Sequence, residues 1–166
     1  GPEGLASNAA RPNDLVFSQW RTALRAAPHL PPVAAPEREA GAAPGASRDA
    51  GTLDRLLASA ASQPSRFHCA GRGVCAAIHV QSAIVTIDDA ALIGAACDRA
   101  DLVIVAIPVY LGACRSGATL VTSRSLRRSG ALAITIGRQD RSTAIPRNGP
   151  DSHGSRPVFR IDAALQ

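Results

Sequence analysis

Apolar residues recur at helical spacing in two stretches of the chain. In residues 12–27, Phe17, Trp20 and Leu24 stand three or four positions apart, and this spacing predicts an amphipathic helix. Trp20 lies within the apolar stripe, so we expect it to be buried against a core. Residues 51–62 predict a second, shorter amphipathic helix.

From residue 66 onward the pattern changes to that of β-strands. Strands are predicted at 66–69, 74–80, 83–87, 101–107, 119–122 and 130–137, a helix at 89–97 and a helical turn at 123–129. The strand at 101–107 is apolar on both faces, which is typical of a central strand. This order predicts an α/β fold, with a small mixed sheet of about five or six strands and short helices.

Composition divides the chain into four parts. Residues 1–27 are predicted to be an N-terminal segment with a docking helix. Residues 28–50 are rich in Pro, Ala and Gly and cannot bury enough apolar surface to offset their ordering entropy, so a flexible linker is predicted. The compact α/β domain is predicted over 51–137, and a loose polar tail over 138–166.

The charge of the chain is compatible with a polyanionic partner, and a mildly basic surface without such a partner is the alternative. The chain has 18 basic residues, all of them arginine, and 13 acidic ones, which gives a net charge of +5. Arg124, Arg127 and Arg128 fall on one predicted helical turn and are candidate contacts for DNA phosphates; a solvated helix face is the alternative. Only 3% of residues are aromatic, so few stacking platforms for single strands are evident. No apolar run reaches the ~18–20 residues of a membrane-spanning helix.

Four cysteines, Cys69, Cys75, Cys97 and Cys114, form an even set. The first two flank a predicted hairpin turn and would lie across from each other. If the strands at 101–107 and 119–122 are parallel, the crossover between them brings Cys114 back near Cys97. We therefore expect Cys69–Cys75 and Cys97–Cys114 disulfides and an oxidising compartment, while the other two pairing schemes stay open.

Zinc is the alternative use of the first two cysteines. His68, Cys69, Cys75 and His79 are all residue types that bind zinc. On an extended strand, Cys75 and His79 would stand ~13 Å apart at ~3.3 Å per residue. A tetrahedral site with bonds of ~2.0–2.3 Å cannot span that distance. Disulfides are therefore favoured, and His68 and His79 are expected at the surface or on an edge strand.

The remaining candidates for chemistry are weak. His29 and His153 lie in the predicted linker and tail. The glycine-rich stretches 71–73 and 112–117 lack the strand–loop–helix order of a phosphate-binding loop. No H-x-H-x-D-H motif occurs in the chain. The sequence therefore predicts no catalytic, cofactor-binding or metal-binding residue.

A family resemblance rests on residues 97–133, CDRADLVIVAIPVYLGACRSGATLVTSRSLRRSGALA. A cysteine ends a helix, an acidic turn precedes a buried strand, and a second cysteine, another strand, an Arg-rich turn and a Gly-Ala-started strand follow. This order resembles the C-terminal part of ComEC-type competence proteins, and the resemblance extends over 66–137. Many members have similar cysteine positions. Their Arg-Pro-Trp ending is matched only at Arg156-Pro157, because Val158 replaces the tryptophan.

The resemblance implies both a location and a role. ComEC-type proteins carry transforming DNA across the bacterial inner membrane, and this part of them belongs to a periplasmic metallo-β-lactamase-like domain. Because the metal-binding motif is missing, we expect a non-catalytic C-terminal fragment that completes that domain, without a cofactor. The parent would be a metal-dependent hydrolase acting on DNA. The implied partners are the rest of the parent membrane protein and the DNA backbone, with no small-molecule substrate.

Two alternatives stay open at this point. The chain could be a stand-alone, disulfide-stapled binding module of the periplasm. It could also be a small zinc-binding protein.

Overall fold

The computed structural model describes residues 4–24, 28–35, 50–71, 73–129, 132–138 and 157–163. The N-terminal part holds strand β1 (Leu5–Ala6), helix α1 (Asp14–Leu24) and strand β2 (His29–Leu30), with β1 and β2 paired in parallel. Helix α1 lies within 12–27, as its periodicity predicts.

The expected burial of Trp20 is wrong. Its surface is 47% exposed, although it belongs to the apolar stripe of α1. Phe17, from the same stripe, packs edge-on against the His29 ring with 4.8 Å between ring centroids. The periodicity thus predicted the helix correctly, but it could not show how much of the apolar face of α1 is covered by other residues of the protein.

The main body of the molecule is a six-stranded mixed sheet. Its strands are β3 (Val33–Ala34), β4 (His68–Cys69), β5 (Cys75–His79), β6 (Ser82–Ile87), β7 (Leu102–Val105) and β8 (Thr119–Thr122), and they lie in this order. Strands β4, β5 and β6 pair antiparallel, whereas β6, β7 and β8 pair in parallel, and β3 pairs in parallel with β4. The predicted small mixed α/β sheet is confirmed.

Helices cover one face of this sheet. Helix α2 (Ala50–Ser62) precedes β4, and a 3₁₀ turn (Ala90–Leu92) followed by helix α3 (Ile93–Arg99) connects β6 to β7. The side chain of Asp89 accepts a hydrogen bond from Ala91 N and caps the turn. A fourth helix, α4 (Ser123–Ser129), follows β8 directly.

The core lies between these helices and the sheet. Neighbouring strands place Ala76, Val85 and Val103 side by side in register, and Leu53 and Leu56 of α2 pack in the same buried cluster. Each fully buried leucine contributes roughly 1.5–3 kcal/mol through loss of apolar surface from water. Burial of this face is therefore what holds α2 to the sheet.

An ion pair joins α2 to α3 at the surface. The Arg99 guanidinium donates from Nε to Asp54 Oδ1 at 2.6 Å and from Nη2 to Asp54 Oδ2 at 3.3 Å. The hydrogen bond to Asp54 raises the pKa of Arg99. Because the pair is solvent-exposed, it orients the two helices more than it stabilises them.

Two segments carry more strand structure than the sequence predicted. Within the predicted linker 28–50, β2 and β3 form, and β3 is an edge strand of the main sheet. It follows Pro31-Pro32, which is consistent with proline being tolerated at edges where no backbone donor is needed. The expected flexible linker is therefore wrong for residues 29–34. Strands of two residues are too short to leave a recognisable pattern in a Pro- and Ala-rich sequence.

The predicted tail also contains a strand. Strand β9 (Leu132–Arg138) was expected in the main sheet. Instead it pairs antiparallel over seven residues with β10 (Pro157–Ala163). The predicted loose tail is therefore wrong for 157–163, where apolar and charged residues alternate in Phe-Arg-Ile-Asp. A partner of equal length offers β9 more backbone pairs than the four residues of β8.

The β5–β6 hairpin turns through a strained pair of residues. His79 pairs with Ser82, so Val80 and Gln81 alone form the loop, with φ of 49° and 64°. Positive φ at both positions defines a type I′ turn, which favours Asn-Gly. Val80 is β-branched, and the left-handed region costs such a residue about 1–2 kcal/mol.

Replacing Val80 with asparagine should therefore stabilise the protein. We expect Val80→Asn to raise the free energy of unfolding by about 1 kcal/mol, because asparagine tolerates the left-handed conformation. Urea unfolding of the full chain measures this change. Val80→Ala removes both γ-methyl groups, and with them the β-branch, without adding a polar side chain; it serves as the control, with a smaller gain. A lower unfolding midpoint for Val80→Asn would contradict the turn assignment.

Candidate nucleic-acid interface

The crossover from β7 to β8 has no helix. Residues 106–118, called the strap below, contain no helix or strand. Ile107 and Val109 are partly buried against the core cluster, while Pro108 and Tyr110 are exposed. The side chains of this part of the strap therefore alternate between the core and the solvent, as they would on an extended strand.

A disulfide holds the far end of the strap. Cys97 near the end of α3 is bonded to Cys114 with an S–S distance of 2.04 Å, which is the pairing that the sequence favoured. Ser116 Oγ donates to the Cys97 carbonyl, and Gly117 N donates to the Cys114 carbonyl at 3.2 Å. The strap is thus fixed at β7, at the disulfide and at β8.

Between these anchors the strap is open to solvent. Tyr110, the only tyrosine of the chain, is fully exposed, and Leu111 is 40% exposed. Among the backbone–backbone hydrogen bonds of the described residues, none involves residues 108–113. This part of the strap therefore presents both side chains and backbone groups to an incoming molecule.

The predicted arginine cluster lies next to the strap. Arg124, Arg127 and Arg128 are exposed on α4, and their i, i+3, i+4 spacing puts them on one side of the helix. The first residue of α4 contacts the strap directly, because Ser123 Oγ donates to the Ile107 carbonyl at 3.3 Å. The start of the strap and the start of α4 are consequently in contact.

The stretch of sequence that contains the strap and α4 has a net positive charge. Residues 102–138 contain five arginines and no aspartate or glutamate, which accounts for the whole net charge of +5, since the rest of the chain has 13 arginines and 13 acids. The nearest acids in sequence before this stretch, Asp98 and Asp101, precede β7. The strap and α4 therefore belong to a stretch of the chain whose own charge suits a polyanion.

The second disulfide closes the β4–β5 hairpin. Cys69 and Cys75 are paired strand residues, and their sulfurs are bonded at 2.06 Å. The carbonyl oxygen of Asn8 lies 3.8 and 3.7 Å from these two sulfurs, so the N-terminal segment packs on the disulfide. Because both sulfurs are bonded to each other, neither can serve as the thiolate that the zinc alternative requires.

The histidines occupy different environments from those expected. His68 is 1% exposed, and its Nδ1 lies 2.8 Å from Ser59 Oγ on α2, so the expected surface or edge-strand position is wrong. His29 was expected in a mobile linker, but its Nε2 lies 2.8 Å from Ser7 Oγ. His79 is half-buried at the end of β5. His153 lies outside the described residues.

The carboxylate of Asp88 lies against the first glycine-rich stretch, residues 71–73. A Cβ placed on Gly73 would collide with the carboxyl group of Asp88, so that carboxylate lies directly against the turn. Gly71 and Gly73 have φ of 67° and 91°, which explains the need for glycine there. A carboxylate in this position repels phosphate, and the turn is unsuited to bind it.

No protein-family model, curated protein or solved structure matches the chain. In the part of the chain that the structure describes, no group of three or more His, Cys, Asp or Glu side chains could hold a metal ion. None of the described helices is long and apolar enough to cross a membrane.

Sequence reasoning identified the arginines but missed Tyr110. The low aromatic content argued against stacking in general and did not single out any one aromatic residue. Two features of the sequence nevertheless point to Tyr110. The chain is free of acids from 102 to 138, and its only tyrosine lies in that stretch, directly after a proline-interrupted apolar run.

The two disulfides should contribute unequally to stability. Loop-closure entropy predicts a loss of about 3 kcal/mol for Cys97→Ala/Cys114→Ala, and about 2 kcal/mol for Cys69→Ala/Cys75→Ala, because the first pair closes the longer loop. Urea unfolding of the oxidised variants measures both losses. Peptide mapping of the unreduced wild-type chain is the control; free thiols or a different pairing there would overturn the assignment.

Proposed function

We propose that this chain is the non-catalytic C-terminal part of a ComEC-type DNA-uptake protein, located on the periplasmic face of the bacterial inner membrane. The order of elements between Cys97 and Ala133 supports this proposal, as does the resemblance of that order to the family. The two disulfides agree with an oxidising compartment such as the periplasm. In this role the chain completes the metallo-β-lactamase-like domain of its parent, and the chemistry belongs to residues outside it.

The observation that carries the DNA part of the proposal is the charge of the strap and α4. Three exposed arginines on one side of a helix, in a stretch of 37 residues without an acid, suit contact with DNA phosphates. Such contacts are independent of base sequence, as the uptake of arbitrary DNA requires. They would guide the strand along the domain surface.

A second candidate is a stand-alone, disulfide-stapled binding module. Its support is that α2 and α3 bury one face of the sheet with residues of this chain alone. The two candidates differ in the gene that encodes them. A DNA-uptake protein requires membrane spans and an H-x-H-x-D-H motif in the same polypeptide, whereas a stand-alone module requires neither.

Removing the arginine cluster should weaken DNA binding in a salt-dependent manner. For Arg124→Gln/Arg127→Gln/Arg128→Gln, we expect the slope of log K against log salt to flatten by roughly two units, because each phosphate contact contributes about 0.7–0.9. Fluorescence anisotropy with a labelled duplex at several salt concentrations measures the slope. Unfolding stability should hardly change, since exposed arginines contribute little to it.

A matched control separates a local contact from overall charge. Arg11→Gln/Arg21→Gln/Arg55→Gln removes three exposed arginines that lie outside the strap and α4, and lowers the net charge equally. We expect this variant to retain most of the wild-type slope. Equal flattening by both triple variants would mean that α4 is only a solvated helix face.

The cellular role can be tested in the native gene. Deleting the codons for residues 50–129 should abolish transformation by added DNA, and the triple α4 variant should lower the transformation frequency. Counting transformants per viable cell measures both effects, with the Arg11/Arg21/Arg55 variant as the control. Normal transformation after the deletion would refute the DNA-uptake role.

A further inference from the structure

Tyr110 has no structural task that explains its position. A tyrosine side chain is amphipathic and is usually at least partly covered when it stabilises a fold. Here the ring is fully exposed, while the neighbouring Val109 packs against the core and Cys114 anchors the strap. The backbone that carries Tyr110 is therefore held in place, and the ring is free to meet a ligand.

The chain geometry limits the distance between Tyr110 and α4. Ser123 Oγ contacts the Ile107 carbonyl at 3.3 Å, and three residues of extended chain reach at most about 11 Å from Ile107 to Tyr110. An arginine side chain on the first turn of α4 spans part of that distance. Tyr110 and the first turn of α4 thus lie within the span of a few nucleotides.

We propose that Tyr110 is a base-stacking residue for single-stranded nucleic acid, whose phosphates are held by Arg124, Arg127 and Arg128. This inference rests on the proposed DNA contact at α4 and adds to it the form of the DNA that is bound. Aromatic stacking and arginine–phosphate contacts are the two interactions that sequence-tolerant single-strand binders combine. The strap provides the first, and α4 provides the second.

A duplex cannot use the ring in this way. Its bases are stacked on one another, so a tyrosine at its surface meets sugars and phosphates but no free base face. A single strand can turn a base outward onto the ring. Tyr110 should therefore raise the affinity for single strands and leave duplex binding to the arginines.

An anionic membrane surface fits the same region less well. Membrane-bound segments bury an apolar face several ångströms deep in the lipid boundary. The strap exposes only two large apolar side chains, those of Tyr110 and Leu111. The observations therefore favour a nucleic acid over a lipid surface.

The affinity test compares single-stranded and duplex DNA of equal length on the full chain at one salt concentration. We expect Tyr110→Ala to weaken binding of an oligothymidylate by about 5- to 150-fold, the range for loss of one base stack. Duplex affinity and the salt slope should not change. Tyr110→Phe keeps the ring and should stay within about twofold of the wild type. Trp20→Ala, which removes an exposed aromatic side chain outside the strap, is the matched control and should have no effect.

A spectroscopic readout reports stacking itself. In the variant Trp20→Phe/Tyr110→Trp, the only tryptophan lies on the strap, and a base stacked on it should quench its fluorescence. We expect quenching by oligothymidylate at saturation and much weaker quenching by the duplex. The variant Tyr110→Phe, which keeps Trp20 as the only tryptophan, should show no quenching.

The outcomes separate this inference from the proposed function. Arginine-dependent binding of duplex and single strands, with unchanged affinity in Tyr110→Ala and no quenching, would refute the stacking role and leave the phosphate contact standing. Absence of any DNA binding would refute both. Binding to vesicles of anionic phospholipid that depends on Tyr110, without a Tyr110 effect on oligothymidylate, would show that the region is a membrane contact and overturn the inference.

Discussion

Two neighbouring parallel strands require a long crossover, and here a disulfide holds it in place of a helix. The β6–β7 connection uses α3. This helix satisfies its backbone hydrogen bonds internally and buries an apolar stripe against the sheet. The β7–β8 strap has neither, so its order depends on Cys97–Cys114 and on the inward side chains of Ile107 and Val109. Without these anchors, ordering an open chain would cost entropy that few contacts offset.

This solution leaves a surface that a helix would have covered. A helical crossover would satisfy its backbone groups internally and place its apolar residues toward the sheet. The strap instead exposes Pro108, Tyr110 and Leu111, and it lies beside the arginines of α4. The constraint that stabilises the parallel strands thus also creates the candidate interface. The other disulfide has a different task, because Cys69–Cys75 closes a hairpin that the N-terminal segment packs on.

Polar groups elsewhere in the molecule serve the fold. His68 and Ser59 join β4 to α2 inside the protein, and the carboxylate of Asp101 accepts a hydrogen bond from Ala83 N at the start of β7. The Asp88 carboxylate lies against Gly73. These residues hold neighbouring elements in register. The candidate interface, in contrast, uses side chains whose removal leaves the core intact.

The sequence by itself determined the elements with strong local patterns: α1, α2, the central strands and the arginine-bearing turn. Their periods of 3.6 and 2 follow from backbone geometry and need no knowledge of neighbours. It also favoured the observed cysteine pairing, because a tight turn and a parallel crossover restrict where each sulfur can lie. Only the tertiary structure decided the exposure of Trp20, the burial of His68, the edge strand at Val33–Ala34 and the pairing of β9 with β10. Each of these depends on contacts between residues far apart in the chain, and such contacts cannot be predicted from local composition. The same holds for Tyr110, since only the path of the strap shows which of its alternating side chains face the solvent.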